Sequence, residues 1–151
     1  MRTVNDILQS KQKSFNYIGS KDLVIDAINL LNSLNLSYLI VMDDDEYKGI
    51  FCERDYTRNV ILKGRSSNST TVKDTMTTDL PMVELSDTVE YCMNMMNSHK
   101  CRYLLAYNEQ QFVGVITIHD LLRQVIASKE EVFDQALTQS LIDHDEDSRI
   151  Y

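Results

Sequence analysis

Proline and glycine are scarce. The 151 residues hold one Pro and four Gly, which excludes collagen-like and proline-rich classes. No apolar stretch approaches the roughly 20 residues that a membrane span needs. The opening Met1-Arg2-Thr3-Val4-Asn5-Asp6 lacks the apolar core of a secretory signal. Cysteine is sparse too. Cys52, Cys92 and Cys101 form no Cys-x-x-Cys pair, and an odd count speaks against a disulfide framework or a zinc knuckle. A reducing cytoplasm is the expected compartment. Basic residues are outnumbered, 15 Lys and Arg against 23 Asp and Glu, for a net charge of −8. Phosphate neutralisation dominates nucleic-acid affinity, so no general nucleic-acid partner is expected, and no membrane partner either. What is present, 43% hydrophobic and 25% charged residues, is a globular balance that argues against disorder. The length suits one domain, or two small repeats sharing a core.

Self-comparison favours the repeats. Shifted by 65, residues 22–62 fall on 87–127. Asp22 meets Asp87, Asn29 meets Asn94, and Tyr38-Leu39 meets Tyr103-Leu104. Gly49 meets Gly114, Asp55 meets Asp120, Arg58 meets Arg123, and Val60-Ile61 meets Val125-Ile126. At the N-terminal edge the shift becomes 68, with Val4-Asn5-Asp6 on Val72-Lys73-Asp74. The expected organisation is a first motif over 1–63, a linker over 64–71, a second motif over 72–127, and a C-terminal helix with an acidic tail over 128–151.

Each copy reads alike. A short extended piece, near Phe15–Ile18 and Met82–Leu85, precedes an amphipathic helix. Val24, Ala27, Ile28, Leu31 and Leu34 mark the apolar face of one; Val89, Cys92, Met93 and Met96 mark the other. That Met-rich stripe reads as core filler, with Cys92 a small hydrophobe in it. Two strands follow, Tyr38–Met42 with Tyr47–Phe51 and Tyr103–Tyr107 with Phe112–Ile116. The polar connection inside each pair is a hairpin signal. The acidic Asp43-Asp44-Asp45-Glu46 lacks the Gly and distant Glu of a calcium loop and reads as a solvated turn, so no metal site is assigned. A last helix is expected to start after Asp55 and after Asp120. The second is expected to run on through residue 141, with Val132, Phe133, Ala136, Leu137 and Leu141 apolar and a frayed Asp143–Asp147 tail.

The chemistry concentrates in Gly114-Val115-Ile116-Thr117-Ile118-His119-Asp120, where a buried strand meets a helix N-terminus. Gly114 permits close backbone approach. Thr117 offers a hydroxyl and Asp120 a carboxylate beside free helix N–H groups, a place that suits an anion. A carboxylate also accepts both hydrogen bonds of a ribose diol. The competing reading makes Asp120 a plain N-cap. The first copy repeats the pattern as Gly49 to Asp55, as repeated caps also would.

Both copies, from about Val4 to Ile126, resemble the paired motifs of cystathionine β-synthase (CBS) domains, a tandem known as a Bateman module. Gly114, Thr117 and Asp120 match the Gly-x-x-Ser/Thr-x-x-Asp pattern, and the stretch from Glu53 to Ser67 resembles a bacterial stand-alone subgroup. The resemblance implies an α+β fold of two β-α-β-β-α repeats packed about a pseudo-two-fold axis. It also implies adenine-nucleotide binding in clefts between the copies, a regulatory role without catalysis, and a homodimer with an unidentified protein target. Carried onto this chain, Asp120 would hold ribose hydroxyls and Thr117 would sit by ribose or phosphate. Thr77 to Met82 would line the adenine pocket, and Arg102 and Tyr103 would contact base or phosphate. Asp55 would be the ribose ligand of a second cleft. Cys52 stands where the family has Ser or Thr; a thiol is a weak donor, so that cleft should be weaker, altered or empty.

Arg54, Arg58, Lys63 and Arg65 form a basic cluster, and Arg clamps phosphate bidentately. Arg54 and Arg65 are the phosphate candidates among them, while Arg58 and Arg123 also fit as solvent-facing helix residues. His119 aligns with Arg54 and would lie near the proposed phosphate, where it could donate a hydrogen bond, though a lone His is usually structural. No cofactor is required; the candidate ligands are AMP, ADP, ATP, NAD and S-adenosylmethionine, which share an adenosine end. Catalysis is not expected, because no Ser-His-Asp order, metal motif or P-loop occurs and Cys52 ends a buried strand. The alternative is an interaction or dimerisation module with vestigial clefts, using the C-terminal helix face of Phe133 and Leu137.

Overall fold

The computed structural model describes residues 2–11, 16–127 and 134–148, the last four by backbone only. Phe15, Val132 and Phe133, named above, lie outside the described residues. The fold is α+β, as expected, and the described residues form two three-stranded sheets. Two compact units are present, one drawn from residues 14–79 and the other from residues 1–13 and 80–150. We call them the Asp55 unit and the Asp120 unit.

The units do not follow the sequence repeats at their edges. Helix α1 (Val4–Ser10) opens the first repeat, yet it belongs to the Asp120 unit. The Val4 N–H donates to the Asp87 carbonyl at 2.9 Å, and Val4 and Ile7 enter that unit's core. The matching 3₁₀ turn Val72–Asp74 opens the second repeat and belongs to the Asp55 unit, where the Val72 N–H donates to the Asp22 carbonyl at 2.8 Å.

In the Asp55 unit, β1 (Tyr17–Ile18) runs parallel to β2 (Tyr38–Asp43), and β2 pairs antiparallel with β3 (Glu46–Cys52). Helix α2 (Val24–Leu34) buries Val24, Ala27 and Leu31 against Leu39, Val41 and Phe51. Its expected Leu34 lies at the exposed end of that stripe. The acidic run is a two-residue hairpin turn with φ of 48° at Asp44 and 66° at Asp45. Asp is among the residues that tolerate this left-handed conformation. Hydrogen bonds from the Ser20 N–H and hydroxyl hold the Asp43 carboxyl below its ordinary range.

In the Asp120 unit, β4 (Met82–Glu84) runs parallel to β5 (Tyr103–Asn108), which pairs antiparallel with β6 (Gln111–Thr117). Helix α4 (Val89–His99) starts under the Thr88 hydroxyl, which accepts from the Tyr91 N–H at 3.0 Å. Its Val89, Cys92, Met93 and Met96 are buried, so the Met stripe is core. The repeat extends to irregularities: both hairpins carry a register shift, after Val41 and after Ala106, and both amphipathic helices end on a left-handed residue, Asn35 or Lys100.

Three helix boundaries correct the sequence reading. The last helices start at Glu53 and Ile118, before the two Asp residues, for a reason given below. In the first copy, α3 (Glu53–Tyr56) passes into a π-helical turn over Thr57–Ile61, whereas α5 (Ile118–Ala127) is α-helical throughout. The chain does not continue as one helix to residue 141. Helix α6 (Gln135–Ser148) starts anew, with the Asp134 carboxylate accepting from the Leu137 N–H at 3.0 Å. The acidic tail lies within α6 and is not frayed, because fully buried Leu141 and partly buried Leu137 anchor the helix in the core of this unit.

Candidate functional site

The same device closes β3 onto α3 and β6 onto α5. Thr117 precedes the first turn of α5, and its hydroxyl accepts from the Asp120 N–H at 3.1 Å. Asp120 in return accepts from the Thr117 N–H at 2.9 Å. This is a capping box, with Thr117 as N-cap and Asp120 three residues on. Asp120 is therefore not the N-cap itself, which is why the helix begins ahead of it. In the first copy Cys52 is the N-cap, and Asp55 accepts from its N–H at 2.9 Å and its thiol at 3.3 Å. Both carboxylates are buried, Asp55 at 6% exposure and Asp120 at 3%.

Their further partners differ. Asp120 carries two cations: Lys11 Nζ lies 2.8 Å from Oδ2 and Arg123 2.6 Å from Oδ1. Lys11 also donates to the Val115 carbonyl at 2.9 Å. Arg123 reaches back one helical turn, an i,i+3 pairing visible in sequence spacing. Lys11 comes from the end of α1, 109 residues away in sequence, and no local signal announces it. Asp55 instead accepts the Thr77 hydroxyl at 2.7 Å on Oδ1. Burial pushes the Asp55 carboxyl above its ordinary range, partly offset by hydrogen bonds from Thr77 and Cys52 and by the Arg54 charge. Burial and the adjacent Asp55 charge push the Cys52 thiol up to about 12.

The expected site residues thus fall into two groups. Thr117, Asp120, His119, Arg102, Tyr103 and Met82 belong to the Asp120 unit. There Tyr103 is the register partner of Thr117, and the Arg102 carbonyl accepts the Ile118 N–H at 3.0 Å. His119 and Met82 are exposed. Asp55, Arg54, Arg65 and Thr77 belong to the Asp55 unit. Thr77, expected to line the adenine pocket, stands against Asp55 because its N–H and carbonyl both pair with Ile50, at 2.8 and 2.9 Å. Arg65 donates to the carbonyls of Asn59 and Asp74 at 3.2 and 3.1 Å, bracing the exit of the π-helical turn. Arg58 and Lys63 are exposed.

The glycines serve the same junctions. A Cβ on Gly49 would lie 2.8 Å from the Thr77 carbonyl oxygen, and one on Gly114 would lie 3.0 Å from a Leu8 methyl. The close backbone approach read from Gly114 is made by the chain's own segments.

Among the described residues no group of three or more His, Cys, Asp or Glu is placed to hold a metal ion, and no helix is long and apolar enough to cross a membrane.

The family model described as CBS domain matches residues 72–127. A mitochondrial CBS domain-containing protein of Arabidopsis thaliana, CBSX3, is 30% identical over 138 residues, 85% of this chain and 67% of that protein. The solved structure of a protein with CBS domains from Burkholderia ambifaria is 36% identical, covers 87% of this chain and 99% of its own, and superposes with a TM-score of 0.77. The structure of CBSX2 in complex with AMP shares the fold at 22% identity and a TM-score of 0.67, over 83% of this chain and 97% of its own.

Proposed function

The chain belongs to the CBS-domain family, and from that premise we propose that it is a regulatory module that binds an adenosine-containing nucleotide such as AMP, ADP, ATP, NAD or S-adenosylmethionine. The observation that carries this reading is the buried carboxylate at each strand-to-helix junction, fixed by its capping box. Asp120 and Asp55 are acceptors of the kind a ribose diol requires. Asp120 also pairs with two cations, Lys11 and Arg123, groups of the kind that bind phosphate. The AMP complex of CBSX2 supports AMP as the first ligand to try.

The role is that of a sensor and not a catalyst. With Cys52 and Cys92 both pushed up to about 12, neither thiol is a thiolate at neutral pH. Binding would act by shifting a conformational or assembly equilibrium, read by a second copy in a homodimer or by a protein target. A second reading, an interaction module with vestigial sites, is favoured by one observation: both carboxylates are already satisfied by the chain's own groups.

Calorimetric titration of nucleotide-free protein with AMP, ADP, ATP, NAD and S-adenosylmethionine separates the two. Saturable binding that Asp120→Ala abolishes, with helix content retained, supports the sensor. No heat and no shift in melting temperature with any of them leaves the interaction module. A sedimentation mass of one chain, near 17.5 kDa, would refute the homodimer.

A further inference from the structure

One buried carboxylate holding two cations is an unbalanced arrangement. Asp120 cancels one charge of Lys11 and Arg123, and a surplus positive charge remains at the site. The three groups are not equally fixed. Asp120 is locked by the reciprocal capping box, its side chain 2% exposed. Arg123 is 68% exposed, and its pairing is correspondingly screened. The Lys11 side chain is 26% exposed, and its ammonium is held by two acceptors, Asp120 Oδ2 and the Val115 carbonyl.

Lys11 is rooted at the end of α1. It is the C-cap of α1, with its N–H on the Ile7 carbonyl. At the other end of α1, Thr3 and Asp6 form a capping box. The backbone of Lys11 is tied to α1, while its ammonium sits at the end of a four-carbon stem with rotatable bonds. A hydroxyl of a ribose diol is also a donor to a carboxylate, so it can take the ammonium's place on Oδ2.

We infer that Lys11 is a displaceable counter-ion. The ribose hydroxyls of the ligand replace the Lys11 ammonium on Asp120, and the released ammonium pairs with the ligand's anionic 5′ substituent. Free energy lost at Asp120 is recovered only when that anion is present. The Asp120 site therefore selects phosphate-bearing adenosine over adenosine itself. This rests on the nucleotide reading above and adds its selectivity. At Asp55 the corresponding partner, Thr77, is uncharged and pinned by two backbone hydrogen bonds to Ile50, so it supplies no cation to release.

The test is calorimetric titration of the full, nucleotide-free chain with AMP and with adenosine, for wild type, Lys11→Met and Lys11→Arg. Far-UV circular dichroism melts verify folding, and the site lost in Asp120→Ala marks the one to follow. Wild type should prefer AMP. Lys11→Met should cut the preference for AMP over adenosine about tenfold or more, as expected for a lost charge-assisted bond, with adenosine itself tightened because it no longer displaces an ammonium. Lys11→Arg should restore the preference. If Lys11→Met shifts AMP and adenosine by the same factor, shifts neither, or leaves adenosine no tighter, the counter-ion role is overturned and nucleotide binding stands. If wild type binds neither ligand at the Asp120 site, the nucleotide reading there falls, and this inference falls with it.

Discussion

Thr77 donates its hydroxyl to Asp55 across 2.7 Å, and the two residues are joined this way because Thr77 pairs with Ile50 beside the end of β3. In the other unit a single ammonium makes both kinds of contact. Lys11 Nζ donates to the carbonyl of Val115, the repeat partner of Ile50, and to Asp120, the repeat partner of Asp55. Two copies of one fold have thus provided for the same buried carboxylate in different ways: one with a neutral hydroxyl, the other with charge.

Removing that hydroxyl should be costly in proportion to the burial of its acceptor. Thr77→Val keeps the shape and deletes the donor. A hydrogen bond to a charged, buried acceptor is worth about 1.5–3 kcal/mol. Urea unfolding should show a loss of about that size. The loss should shrink to that of a neutral hydrogen bond, about 0.5–1.5 kcal/mol, when Thr77→Val is made in an Asp55→Asn background, where the charge is gone but the amide still pairs with Thr77. A loss that persists undiminished there would assign Thr77 a packing role only.

The pH dependence of stability follows from Asp55. Its folded carboxyl is raised, chiefly by burial, so between the unfolded value and the raised folded one the native state binds more protons than the unfolded state. Its contribution to stability is therefore greatest below the unfolded value and declines as pH rises through the folded value. Asp55→Asn should be at least as stable as wild type at neutral pH, its amide still able to serve both the Cys52 N–H and Thr77. That advantage should shrink on acidification. Melting temperatures of both proteins between pH 3 and 8, about the range spanned by ordinary carboxylates and neutrality, check this. An advantage that grows on acidification would contradict it.

Cys52 is the weak member of its capping box. Its thiol occupies the N-cap position that Thr117 fills with a hydroxyl in the second copy. The extended backbone there, φ −135°, suits a β-branched residue. Cys52→Thr should raise stability by about 0.5–1 kcal/mol, within the range of N-cap exchanges. In the wild type the same thiol, pushed up to about 12, should react slowly with a disulfide reagent at pH 8 until the protein is unfolded. Rapid native-state labelling of Cys52, mapped by mass spectrometry, would count against this placement.

The parts of this molecule that were legible in the sequence are those set by near neighbours. Helical spacing exposed the buried Val24, Ala27 and Leu31 and the buried Val89, Cys92, Met93 and Met96. The polar connections Asp43 to Glu46 and Asn108 to Gln111 exposed both hairpins, whose turns the strands shorten to two residues. The Thr117-to-Asp120 spacing is itself a capping-box signature, and reading it so would have put the helix start at Ile118. What local pattern could not supply is long-range. The exchange of α1 and the 3₁₀ turn between repeats depends on backbone bonds from Val4 to Asp87 and from Val72 to Asp22. The placement of Thr77 beside Asp55, and of Lys11 beside Asp120, follows from that exchange.

The two junction glycines should respond unequally to a methyl group. At Gly49 an added Cβ meets the Thr77 carbonyl oxygen at 2.8 Å and the Met76 sulfur at 2.9 Å. The first is backbone already engaged in the Ile50 pairing, so it cannot yield without moving Thr77 away from Asp55. At Gly114 the nearest atom among the described residues is a Leu8 methyl at 3.0 Å, the end of a side chain that can change rotamer. Both positions have ordinary negative-φ or extended backbone, so conformational strain does not separate them. Gly49→Ala should therefore cost about 1–3 kcal/mol, the usual range for overpacking, and Gly114→Ala less. The Asp55-dependent part of the pH profile should shift in Gly49→Ala, because the carboxylate loses its Thr77 donor, and stay unchanged in Gly114→Ala. Equal costs, or an unmoved profile in Gly49→Ala, would mean that the approach of Thr77 to β3 does not govern the Asp55 site.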